Sequence, residues 1–114
     1  VAEVALLHFR GAFHNPAMYL PVSVPPVAAV LLARSALGPA RPDHRWTRWW
    51  LSLTGVLGLI GTGLHANGVA RAMGGWRNWS QNLLNGPPLP APPSFTALAL
   101  SGLSALELLR GEAR

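Results

Sequence analysis

Cysteine is absent from the 114 residues, which excludes disulfides, thiolate metal sites and cysteine nucleophiles. Lysine is absent as well, so all nine basic residues are arginine. Acidic residues number four, and charged residues together make up 11% of the chain. A water-soluble domain carries about 25% charged residues, so this chain has too little polar side chain to cover a wetted surface. There is also no Gly-rich phosphate loop, no HExxH zinc motif and no GxSxG elbow. The four carboxylates are Glu3, Asp43, Glu107 and Glu112, and no two are placed for acid–base work. This inventory is poor material for a self-contained enzyme.

Hydrophobic residues make up half of the chain, with 12 glycines and 11 prolines. The Ala, Gly, Pro and Arg richness suits a high-GC bacterial genome. The net charge of +5 raises the question of nucleic acid. The arginines, however, are scattered between apolar runs and form no stripe with interleaved aromatics, so no nucleic-acid partner is expected. Before the first apolar run there is neither a Met nor a charged n-region. Val1 is therefore not expected to open a signal peptide; the opening residues read like the middle of a helix that begins upstream.

The strongest candidate for crossing a membrane is Trp49–Val69, 21 residues without formal charge. At 1.5 Å per residue this covers the ~30 Å of a bilayer's hydrocarbon. Trp46, Trp49 and Trp50 beside Arg45 and Arg48 make an aromatic and cationic anchor at one headgroup layer. Gly55, Gly58 and Gly61 give the segment a small-residue face where another helix can approach closely, and a second transmembrane subunit is the expected occupant.

Two further apolar stretches, Pro16–Leu37 and Leu83–Leu109, are rich in proline at their starts. Pro21, Pro25 and Pro26 predict a broken first part, with a short helix of ~17 Å over Val27–Leu37. Likewise Leu83–Pro93 predicts an extended segment, followed by a helix that Ser94 caps. Sliding the sequence by 67 residues pairs Phe9 with Trp76, Arg10 with Arg77 and Asn15 with Asn82. The same shift pairs Pro21, Pro25 and Pro26 with Pro88, Pro92 and Pro93, which points to an internal repeat.

The expected fold is thus an all-α integral membrane protein. Three transmembrane helices plus the end of a first one form a tandem pair of helix–Pro-rich loop–helix repeats. The whole chain, 1–114, makes one membrane domain, with repeats at 1–40 and 49–110 and a loop at 41–48. Arg34, Arg41, Arg45, Arg48, Arg110 and Arg114 fall on one side, and Arg10, Arg71 and Arg77 on the other. The positive-inside rule then assigns both termini and loop 38–48 to the cytoplasm of a bacterial inner membrane, and loops 9–16 and 71–93 to the periplasm.

Candidate ligands are few. His8, His14 and His65 map to the outer half of this topology, and two histidines at matching depth are what axial haem ligation requires. Arg77 would then approach a propionate or a quinone carbonyl. The alternative is that each histidine bonds a nearby backbone carbonyl. Trp76, Trp79, Asn82 and Asn85 lie in the segment GGWRNWSQNLLNGPP, which offers contacts to lipid or to a partner protein. The leading expectation is a small non-catalytic subunit of a bacterial respiratory, dehydrogenase or photosynthetic membrane complex. Its expected partners are other membrane subunits and lipid. A haem- or quinone-binding electron-transfer anchor is the second reading. A small transporter or channel is the third; the segment Trp49–Val69 lacks the ionisable midplane group such proteins use.

Overall fold

The computed structural model describes residues 1–38, 44–86 and 88–112, and these are all-helical, without a strand. Helix α1 spans Ala2–Arg10, α2 Leu20–Leu37, α3 Arg45–Arg71, α4 Trp79–Asn85 and α5 Ala91–Glu112. One 3-10 turn, Pro16–Tyr19, leads into α2, and a second, Gly75–Asn78, leads into α4. Arg41, Asp43, Pro87 and Arg114 lie outside the described residues.

The prolines of α2 do not break it. Proline's fixed φ is helical, and each proline withdraws only its own N–H from the ladder. Pro25 and Pro26 therefore leave the carbonyls of Pro21 and Val22 without their usual donors, and the helix runs on. Ser23 Oγ donates to the carbonyls of Tyr19 and Leu20, the two residues just before that gap. Val24 and Pro25 are buried, so packing holds the segment in place. The expected extended stretch at Pro16–Pro25 is thus helical, and α2 is 18 residues long, about 27 Å. The second expected extended stretch is also shorter than its prolines imply. Helix α4 continues to Asn85 and α5 starts at Ala91, with Pro92 and Pro93 in its first turn, where proline is tolerated. Ser94 lies inside α5 and is no cap; its hydroxyl donates to the Ala91 carbonyl.

The two stretches that the 67-residue shift pairs therefore differ locally. Pro25–Pro26 is in the interior of a helix, and Pro92–Pro93 is at the start of one. Asn15 caps the turn at Pro16–Tyr19 by accepting from the Ala17 N–H, whereas Asn82 donates to two carbonyls of an earlier loop.

Helices α2, α3 and α5 run antiparallel in sequence, with α3 in the middle. Among the described residues two segments are long and apolar enough to cross a membrane: Pro16–Leu37, which holds an 18-residue window of mean hydropathy 1.6, and Arg45–Arg71, which holds one of 1.2. The third expected span, α5, has the length but is not among them. Its Pro92–Pro93–Ser94 opening and Glu107 dilute its apolar residues.

The buried positions of α3 are Thr47, Leu51, Thr54 and Gly58, with Val69 three turns further on, and those of α5 are Pro92, Phe95, Ala99, Gly102 and Leu106. Both series alternate three and four residues apart, the spacing that keeps one seam of a helix against a neighbour. Leu51, Leu106 and Ala28 of α2 form the core where the three helices meet. Most of the remaining seam is small or hydroxylated: Thr47 and Thr54 are each only 5% exposed. Large aliphatics point the other way, with Val56, Leu59 and Ile60 of α3 and Leu98, Leu100 and Leu108 of α5 all exposed. Large apolar side chains thus lie on both sides, with Leu51, Val69, Phe95 and Leu106 inside and many more on the outer faces, whereas a water-soluble bundle keeps most of its leucine and isoleucine inside.

Candidate functional site: the bundle ends and the α3–α5 seam

The glycine face of α3 is already occupied. A Cβ added at Gly58 would meet Thr96 Oγ1, would lie 2.6 Å from the Pro92 carbonyl oxygen, and would be 2.9 Å from the Thr96 nitrogen. At Gly61 it would lie 2.9 Å from Pro92 Cβ, and at Gly55 3.5 Å from Ala99 Cβ. The surface expected to receive another subunit therefore receives α5 of the same chain. The small residues let the two backbones approach until Thr96 Oγ1 donates to the Gly55 carbonyl at 2.8 Å. Sequence reasoning missed Thr96. The signal was present in the small residues of α5 itself, where Thr96, Ala99 and Gly102 follow each other at helical spacing.

Polar contacts pin the helices along their length. At one end Ser35 and Thr47 share a hydrogen bond of 3.0 Å between α2 and α3, and Arg48 pairs with Glu107 between α3 and α5. Opposite charges at the same end of two spans were the clue to that pair. Trp46 and Trp49 are exposed here, with Arg45 lying over the Trp46 ring, while Trp50 packs against the core. At the other end His65 Nδ1 is 2.8 Å from the Pro88 carbonyl and ties α3 to the link before α5.

His8 and His14 bond in the same local way, through Nδ1 to the carbonyls of Val4 and Gly11. The three histidines share no partner, and each satisfies a different backbone carbonyl. Among the described residues no three His, Asp or Glu side chains gather at metal-binding distance. Arg77 is exposed on the turn between Trp76 and Trp79.

The segment from Met73 to Asn85 is a folded foot at the end of α3. Gly74 and Gly75 have φ of +79° and +50°, a left-handed turn that glycine adopts without steric cost. Buried Asn82 then closes the foot, with Nδ2 donating to the Met73 and Gly75 carbonyls at 3.3 and 2.7 Å. Asn85 ends α4 and is exposed, as are Trp76 and Trp79. A second aromatic group belongs to the loop after α1, where Phe13 stacks on Tyr19 at 4.5 Å and meets the edge of Phe9 at 6.3 Å.

No protein-family model, curated protein or solved structure matches the chain.

Proposed function

We propose that this chain is a small integral membrane protein and that it serves as a non-catalytic subunit of a larger bacterial membrane complex, with bioenergetic assemblies as the expected hosts. The observation that carries the reading is the number of large apolar side chains left outside: beyond Leu51, Val69, Phe95 and Leu106, the α3–α5 seam is filled largely by threonine, glycine and alanine, while Val56, Leu59, Ile60, Leu64, Leu98, Leu100 and Leu108 face outward. Helices that pack in hydrocarbon gain nothing from hiding leucine, so they bring small and hydrogen-bonding residues together instead. In water the same arrangement would expose apolar surface on every helix.

The accessible surface supports the same reading. It amounts to 7959 Å² for 12.1 kDa, whereas a compact soluble monomer of that mass exposes about 6,000 Å². The excess of roughly 2,000 Å² is in the range that lipid or companion subunits bury. Because α5 covers Gly55, Gly58 and Gly61, companion subunits would meet the leucine-rich outer faces of α3 and α5 instead. The inventory of carboxylates and histidines supports a non-catalytic role.

The test is purification of the tagged chain from native membrane in a mild detergent, with its size and companions measured. It should resist alkaline extraction from the membrane and migrate with other subunits. Recovery as a folded monomer in plain buffer would overturn the membrane reading, and a lone detergent-bound monomer would overturn the subunit reading. Orientation is read by single cysteines at positions 44 and 80 in this cysteine-free chain; they should label from opposite sides.

A further inference from the structure

We propose that the end of the bundle bearing Arg10, Arg71 and Arg77 is a binding surface for anionic phospholipid headgroups; the inference rests on the membrane reading above and adds a lipid preference to it. Three features support it. The first is uncompensated charge. Among the described residues these three arginines have no ion-pair partner, whereas at the opposite end Arg48 is paired with Glu107. No acidic residue occurs between Leu64 and Leu106, which includes the foot, or between Val4 and Pro42. The one described carboxylate at this end, Glu3 of α1, lines a pocket with Pro88, Ala91 and Ser94 and forms no ion pair with the three arginines, which leaves the end cationic. A guanidinium is always charged and grips phosphate oxygens through paired N–H groups.

The second feature is fixed presentation. Arg71 is the last residue of α3, and Arg77 is on the 3-10 turn that follows the Gly74–Gly75 reversal. The two hydrogen bonds of Asn82 hold that turn against the end of α3. Arg10 closes α1, which the short loop 11–15 joins to the start of α2 at the same end.

The third feature distinguishes a lipid from a free phosphate. Trp76 and Trp79 flank Arg77, and Met73 and Leu84 on the same foot are 92% and 83% exposed. Indole rings partition to the headgroup layer, and exposed methionine and leucine need hydrocarbon beside them. An anion with an attached acyl region satisfies both sets of groups, and inorganic phosphate satisfies only the arginines.

The experiment uses the full chain reconstituted into phosphatidylcholine vesicles that contain a minority of phosphatidylglycerol. After gentle detergent extraction, native mass spectrometry counts the lipids that remain bound. Phosphatidylglycerol should be enriched over its share in the vesicle. An arginine near an anionic surface contributes about fivefold in binding, so R71Q/R77Q should lower the enrichment by up to roughly 25-fold, and R34Q/R110Q at the other end should lower it clearly less. An equal or larger fall in R34Q/R110Q overturns the assignment to this end. Rising salt should weaken the wild-type enrichment, a readout that needs no variant. Equal retention of both lipids, or an unaffected R71Q/R77Q that keeps its helical circular dichroism, overturns the lipid preference while the membrane reading stands. Displacement of the lipid by millimolar inorganic phosphate also overturns it, in favour of a simple anion site. Failure of the chain to enter the vesicle membrane overturns the membrane reading itself.

Discussion

Replacing Gly58 by alanine tests the close approach of α3 and α5 directly. The new methyl group would lie 2.6 Å from the Pro92 carbonyl oxygen and 2.9 Å from the Thr96 nitrogen, both backbone atoms that cannot rotate away. The helices must separate by several tenths of an ångström, which costs about 1–3 kcal/mol by overpacking. Separation also stretches the bond from Thr96 Oγ1 to the Gly55 carbonyl, worth about 0.6 kcal/mol between membrane helices. Against this, alanine is favoured over glycine in a helix by about 1 kcal/mol. The net expectation is a loss of about 0.5–2.5 kcal/mol. The control is Gly63→Ala, five residues along α3 and on its open side, where a Cβ meets nothing within 4 Å. That variant retains only the propensity gain and should be neutral or up to about 1 kcal/mol more stable. Reversible unfolding of both proteins in mixed micelles, followed by circular dichroism, measures the difference. If Gly58→Ala proved as stable as Gly63→Ala, α5 would not lie on this face and the packing argument would fail.

Other substitutions read separate parts of the structure. Thr96→Val keeps the shape and removes the interhelical donor; it should cost about 0.5–1.5 kcal/mol in the same unfolding assay. Asn82→Ala leaves the Met73 and Gly75 carbonyls without their donor, so amide exchange over 73–85 should accelerate at least tenfold while exchange in α3 stays unchanged. Ala12 and Phe13 have φ of +55° and +46°, left-handed values that strain any side chain. Ala12→Gly should therefore stabilise by about 1 kcal/mol, and a lower melting temperature would contradict the assigned backbone. The Arg48–Glu107 pair has side chains 41% and 52% exposed, so Glu107→Gln should shift stability by less than about 1 kcal/mol.

Helix content and the position of α3 were legible in the sequence because they rest on composition and length. The run Trp49–Val69 lies within a helix of 27 residues, extended at its start through Trp46 and Arg45. Proline misled in α2 because its usual meaning comes from helices whose freed carbonyls must be repaired locally. Here only two carbonyls lose donors and the surrounding side chains are packed. The glycines of α3 correctly signalled a close helix neighbour, but spacing says nothing about which chain supplies it, and Thr96 settles that from α5. For the histidines, bonding to a nearby backbone carbonyl was one of two readings weighed from sequence; Nδ1 of His8 and His14 meets a carbonyl of its own segment, while that of His65 reaches the Pro88 carbonyl, 23 residues on. The foot was less legible. Its closure depends on Asn82 reaching back seven and nine residues, which no periodicity encodes.

Serine and threonine hydroxyls in this chain mostly bond one turn back along their own helix, as Ser23, Thr54, Thr62 and Ser101 do. Such helices bring their own solvation with them, so a rotation or a slide past a neighbour leaves no hydroxyl donor stranded. Alignment between the three long rods then falls to a few cross-links: Ser35 with Thr47, Thr96 with the Gly55 carbonyl, Arg48 with Glu107, and His65 with the Pro88 carbonyl. These are distributed from one end of α3 to the other. A chain stripped of them would keep its helices and lose its register.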